Sequence, residues 1–160
     1  MSSVHLKTQL GLHVLAILWL GIMAGFFSTY SANVNLATLQ FDGATYATVQ
    51  SAFNRNVRHW LFFAFFFGPP LLCALAVLVS WSERKRGWFW CIVVAGIAYA
   101  LGVIVFTQQV NLPLNAYTES WNPNALPADW MRVREQWNAA NLFRSVLSFA
   151  TFALAVIALA

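Results

Sequence analysis

Four long apolar runs, at residues 9–30, 60–80, 88–110 and 139–160, alternate with polar segments at 31–59, 81–87 and 111–138. Each run reaches the ~20 residues that a helix needs to cross a hydrocarbon core. One intervening segment, WSERKRG at 81–87, is a short basic turn, and the other two are long. The pattern predicts an all-α fold: an integral membrane four-helix bundle of up-down topology, residues 1–160 forming one domain, with both long connections on the same side.

Inside the polar segments the periodicity changes. Tyr46, Gln50 and Asn54 recur every fourth residue, with Val49, Phe53 and Val57 on a neighbouring face. This predicts an amphipathic helix from Gly43 to Arg58, started by Gly43 or Asp42 and lying at the membrane interface. Gly68-Pro69-Pro70 removes two backbone donors and should kink or split the second span. Pro113 should break or bend the third span where Gln108, Gln109, Asn111 and Asn115 gather. Pro127 reads as the first residue of the last helix, with Asp129 in its positive first turn. A helix from Pro127 to the C-terminus is ~50 Å long, so its first turns stand outside the membrane.

That last helix holds the least expected pattern in the chain. At ~100° per residue, Arg134, Asn138, Asn141, Ser145 and Ser148 fall within an arc of roughly 80°, flanked by Arg144 and Trp137. An unpaired charge or amide in hydrocarbon costs several kcal/mol, so the stripe must face the protein interior or a wet cavity.

Composition agrees with a membrane protein. The chain is 60% hydrophobic and 9% charged, against about 25% charged in soluble domains. Eight tryptophans and fourteen phenylalanines fit interfacial aromatic belts. The net charge of +4 carries no dense basic run beyond Arg84-Lys85-Arg86, which argues against a nucleic-acid partner and reads as a topology signal. Together with Lys7 it places both termini in the cytoplasm and residues 31–59 and 111–138 outside. A bacterial inner membrane is the expected location. The first run is longer than a signal-peptide core and reads as a retained anchor. Gly21-Ile-Met-Ala-Gly25 allows close helix approach, either within the bundle or with another copy or subunit.

Metal, heme and hydrolase chemistry find little support. Cys73 and Cys91 sit in apolar spans without metal spacing. His13 and His59 fall near opposite membrane faces, so one chain cannot clamp a heme between them, and His5 lies in the tail. No metal site and no bound cofactor is expected. The informative polar residues instead converge at one depth: Tyr46, Gln50, Asn54, Arg55, His59, Gln108, Asn111, Asn115, Trp137, Asn138, Asn141 and Arg144. They form either a ligand pocket for a hydrophobic small molecule or a structural hydrogen-bond network.

Over nearly its whole length the chain resembles the anthrone-oxygenase-like family of small four-span membrane proteins. The resemblance rests on GIMAGFFSTYSANV, VQSAFNRNVR, VNLPLNA and WNAANLFRSVLSFA. Asn111, Pro113, Leu114 and Asn115 fit the family's N-x-P-L-N, and Trp137, Asn141 and Arg144 fit W-x3-N-x2-R. The family pattern often has a histidine where this chain has Leu142 and an aromatic residue where it has Ala140. The resemblance implies oxygenation of an anthrone-like or quinol-like aromatic substrate without an evident cofactor. Arg144 would then stabilise an anion, with His59 as base. Asn111, Asn115 and Asn141 would orient substrate oxygens, and Trp137 and Tyr46 would stack on the ring. Gln50, Asn54 and Asn138 complete the expected binding set. A non-catalytic binder of small molecules or lipids, or an accessory subunit docked through Gly21 and Gly25, are the rival expectations.

Overall fold

The computed structural model describes residues 3–159. Among these, four helices are long and apolar enough to cross a membrane: α1 (Ser3–Thr38), α3 (Trp60–Val79), α4 (Gly87–Glu119) and α5 (Trp130–Ile157). A shorter helix, α2 (Gly43–Asn56), lies in the first connection, and no named strand occurs among the described residues. The expected all-helical membrane bundle is therefore present. In the bundle α1 packs on α3 and α5, and α4 packs on the same two neighbours.

The start of α1 meets the basic turn: Ser80 Oγ lies 3.3 Å from His13 Nε2, and the His13 and Trp88 rings are 5.1 Å apart. We call this the turn end. The finish of α1 meets α2 and the start of α5 at the other, connection end. Between them runs a core of small and aliphatic groups, including Ala16, Leu20, Met23, Cys73, Ala76, Ile92, Ala95 and Ala155. Gly96 lets α4 approach α3 there, because a Cβ at Gly96 would sit 2.8 Å from Cys73 Cβ.

Several boundaries differ from expectation. α1 and α4 run well past the ends of their apolar cores. Pro69 and Pro70 lie inside an unbroken α3. Near them, Trp19 Nε1 donates to the Ala64 carbonyl at 3.2 Å, and the Trp19 ring occupies the space a Cβ at Gly68 would need. Pro113 does not end α4 either. The helix widens to π-helical turns at Ala100–Val105 and Thr107–Asn111 just before it, with the Leu112 N–H bonded to the Thr107 carbonyl five residues back. A wide turn of this kind accommodates a proline's missing donor without breaking the rod. α1 has a matching π-helical turn at Tyr30–Val34. The last helix begins at Trp130, with Asp129 as its N-cap, so Pro127 lies ahead of it and the helix is shorter than expected.

α2 starts where its sequence indicates. Asp42 caps it, with the Thr45 N–H donating to Oδ1 at 2.8 Å. This bond holds the exposed Asp42 carboxyl below its ordinary range. Its polar stripe of Tyr46, Gln50 and Asn54 turns inward, while Phe53 stays partly exposed.

Candidate functional site

Arg144 sits in the bundle interior at the connection end, only 7% exposed. Its Nη2 donates to Asn141 Oδ1 at 2.7 Å and its Nη1 to Thr107 Oγ1 at 3.3 Å. The guanidinium lies over the Phe27 ring at 4.6 Å and 6.0 Å from the Trp137 ring. Among the described residues the ion pairs are Arg58–Glu119, Arg86–Glu83 and Arg132–Asp129, so Arg144 has no carboxylate partner. Its Nε has no hydrogen-bond partner either. Tyr30 and Tyr99 are its electrostatic neighbours. A buried cation facing only neutral dipoles keeps a strong unmet attraction for negative charge.

Beside Arg144 lies a chamber of about 60 Å³. Asn54, Asn115, Trp137, Asn141 and Arg144 line it together with the rings of Phe26, Phe27, Tyr30, Phe53 and Phe62. Two hydrogen-bond chains converge on it. In the first, Gln50 Nε2 donates to Asn54 Oδ1 at 3.1 Å and Asn54 Nδ2 to Thr118 Oγ1 at 3.2 Å. Thr118 then donates to the Asn115 carbonyl, and Trp137 Nε1 donates to Asn115 Oδ1 at 2.7 Å. In the second, Asn141 Nδ2 donates to Ser31 Oγ at 2.7 Å, and the Ser31 and Ser145 hydroxyls are 2.8 Å apart. The first chain clamps α2 and α4 onto α5, and the second joins α1 to α5.

Asn111 occupies the α4 turn between Thr107 and Asn115. It is 1% exposed, yet neither atom of its amide has a partner. The Tyr30, Tyr99 and Ser148 hydroxyls are also buried without partners. Unpartnered buried polar groups are rare, and each costs roughly 1–3 kcal/mol. Others lie away from the chamber, at Gln9, Tyr46, Trp121, Arg134 and Asn138.

The sequence-predicted residues therefore separate into groups. Asn54, Asn115, Trp137, Asn141 and Arg144 meet at the chamber, Gln50 reaches it through Asn54, and Asn111 lies one turn away. Tyr46 stands apart, in an outer cluster with Trp121 and Trp130. Arg134 lies over the Trp130 ring at 4.9 Å and the Tyr46 ring at 5.6 Å. Burial there pushes the Tyr46 hydroxyl far above its ordinary range. Asn138 is half-buried in a separate groove with Asn35 and Leu39. His59 is exposed and caps α3, its Nδ1 accepting from the Phe62 N–H at 3.3 Å. Gln108 and Gln109 face outward.

Sequence reasoning did not select Tyr30, Phe27, Thr107 or Ser31. Tyr30 packs its ring 5.2 Å from Trp137, the stacking position expected for Tyr46. The GxxxG glycines do not share one environment: Gly21 faces the Phe152 ring, while Gly25 has open space where a Cβ would stand. Among the described residues no three histidine, cysteine or carboxylate side chains gather in a metal-binding group.

Four helices apolar enough to cross a membrane, with a buried arginine beside a ring-walled chamber, define an all-helical protein of the membrane-spanning class. The family model described as anthrone oxygenase matches residues 59–154, more than half of the chain, and the chain belongs to that family. The matched region carries Asn115, Trp137, Asn141 and Arg144. No curated protein and no solved structure matches the chain.

Proposed function

We propose that this protein oxidises a hydrophobic, ring-bearing phenol with dioxygen, using Arg144 to stabilise the substrate anion. The observation that carries the reading is the burial of Arg144 among neutral groups, with Nε and the neighbouring Asn111 amide unpartnered. Fixed donors in a water-poor site stabilise a developing anion far better than they would in water.

The chemistry balances without a resident redox group. Loss of one proton to water leaves an electron-rich phenolate or enolate that can reduce dioxygen. Counted from the keto tautomer of such a phenol, a ring methylene becomes a carbonyl: two C–H bonds break, the first as the proton just lost, one oxygen atom forms the new C=O bond, and the other leaves as water. Dioxygen takes up the four electrons. Arg144 holds the anionic oxygen, Asn141 and Asn115 orient it, and Trp137 with Tyr30 flanks the ring edge. Asn111 offers further unpaired donor and acceptor atoms one turn along α4. His59 is not assigned the proton, because its ring already serves the helix cap.

The proposed setting is a bacterial inner membrane with both termini cytoplasmic, which puts the chamber near the outer face. The short basic turn at Arg84-Lys85-Arg86 supports that orientation.

Dioxygen uptake by the purified protein with an anthrone, compared between wild type and Arg144→Met, tests the reading. Uptake lost in a variant that still unfolds cooperatively at the wild-type temperature supports it. No uptake by wild type across several phenols, with ligand still quenching tryptophan emission, would make the chamber a binding site only.

A further inference from the structure

A chamber of about 60 Å³ holds a few water-sized particles, whereas pockets for ring-bearing molecules span roughly 300–1,000 Å³. The bulk of such a substrate must therefore dock elsewhere. A groove of about 370 Å³ runs along the lipid-facing seam between α1 and α5, lined by Ser28, Ser31, Ala32, Leu142, Ser145, Val146 and Phe149. Its walls are apolar, with Phe149 at one end, but three hydroxyls line it. Ser31 and Ser145 are bonded to each other, and Ser31 accepts from Asn141, whose Oδ1 accepts from Arg144. Two hydrogen bonds thus connect the groove to the guanidinium.

We infer that this α1–α5 groove is the docking site through which a hydrophobic phenol reaches the Arg144 chamber from within the bilayer. The inference rests on the function proposed above and names the substrate's route. Ser145 is buried, its hydroxyl also bonded to the Phe27 and Asn141 carbonyls, whereas Ser31 is only half-buried and is the hydroxyl through which a ligand in the groove meets the network. A flat aromatic body bearing one hydroxyl matches the groove: its rings cover Val146 and Phe149, and its hydroxyl bonds to Ser31. Parting of the Ser31–Ser145 bond then exposes Asn141 and the guanidinium behind it. The amide and the two serines are positioning residues that lead the polar edge inward.

Ala32→Phe fills the groove from an exposed position without touching Arg144. Ala74→Phe adds the same bulk to the apolar groove between α3 and α4 and serves as control. The probe is 4-hydroxybenzophenone, photoactivated on the protein in lipid nanodiscs, with labelled residues mapped by mass spectrometry. Labelling is expected at Leu142, Val146 and Phe149, competed by excess unreactive phenol and lost in Ala32→Phe but not in Ala74→Phe. For dioxygen uptake, Ala32→Phe is expected to raise KM roughly tenfold with kcat little changed, the signature of lost binding ahead of chemistry. Labelling spread evenly over all outward helix faces, or unchanged by Ala32→Phe, overturns the inference. So does a groove shielded from label by a second copy of the chain. If Arg144→Met abolishes uptake while Ala32→Phe changes neither KM nor labelling, the groove fails and the active-site reading stands. If groove labelling is lost in Ala32→Phe but no phenol drives uptake, the docking site stands and the oxygenase reading fails.

Discussion

From Ala16 to Phe27 along α1, and from Ala155 back to Trp137 along α5, the buried surface changes from hydrocarbon to amides and hydroxyls. Around Leu20, Cys73, Ile92 and Ala95 the buried side chains form one apolar cluster. One or two turns on, the same helices enclose Arg144, Asn141, Asn111, Ser145 and Ser148. The apolar middle is accounted for by packing, and the turn end adds, among the described residues, only Gln9 and the His13–Ser80 contact, whereas the connection end holds a buried arginine and several unpartnered polar groups. A region that lowers stability yet interrupts an otherwise apolar bundle is where function is expected to reside.

The sharpest way to break this contrast is Arg144→Met. Loss of an electrostatic stabiliser should reduce turnover by roughly 10²–10³-fold, while the unfolding temperature in detergent stays near wild type or rises, since buried ionic groups are often replaceable by apolar ones. Intrinsic fluorescence melts beside dioxygen uptake measure both. A variant that fails to fold would reassign Arg144 to structure and erase the distinction between the two halves.

Gly96→Ala tests the apolar half. Its Cβ would meet Cys73 Cβ, close to the backbone and unable to swing away. Overpacking of this kind costs about 1–3 kcal/mol, seen as a lowered melting temperature. Gly25→Ala, with open space around it, should leave the melt unchanged. Equal behaviour of the two would refute the packing argument.

Asn111→Leu sharpens the comparison from the polar side. An unpartnered buried amide replaced by a similar-sized apolar group should relieve a penalty of roughly 1–3 kcal/mol. Stability is expected to rise while activity falls. A loss of stability would mean that Asn111 is structurally engaged after all.

The smallest effect concerns the cap of α2. The Thr45 backbone and hydroxyl contacts hold the Asp42 carboxyl below its ordinary range, so its folded-state pKa lies below its unfolded one. Its stabilising contribution is fully present above the unfolded value, near pH 4, and is lost as pH falls through the folded value. Protection of the α2 amides, taken relative to the intrinsic exchange rate at each pH, should therefore fall below about pH 4 in wild type. In Asp42→Ala it should be lower already at neutral pH.

How much of this was legible beforehand depended on the regularity of each helix. Four spans follow from apolar length alone, and the α5 residues Trp137, Asn141 and Arg144 obey a steady 100° step from a recognisable start. Asn115 and Asn54 were readable because the connections bring their segments to the depth of Arg144. Tyr30, Ser31 and Thr107 were not, since they lie in π-helical turns that upset the 3.6-residue phase. Tyr46 follows the same stripe as Asn54, but two turns of helix carry it away from the chamber and into the Trp121 and Trp130 cluster. His59 carries no sequence mark that separates a base from a cap. That depends on whether its ring reaches the Phe62 N–H.

The widened turns of α4 have a consequence for length. An i→i+5 turn holds more residues than its α-helical equivalent, so deleting one amino acid between Ala100 and Asn111 would let the rod relax to regular winding rather than tear. The turn would give up its extra residue, so the chain beyond would keep its facing, with Asn115 still toward Trp137 and Thr118 toward Asn54. The same deletion in the regular stretch Gly87–Tyr99 would instead rotate everything downstream by about 100° and aim these amides at the wrong neighbours.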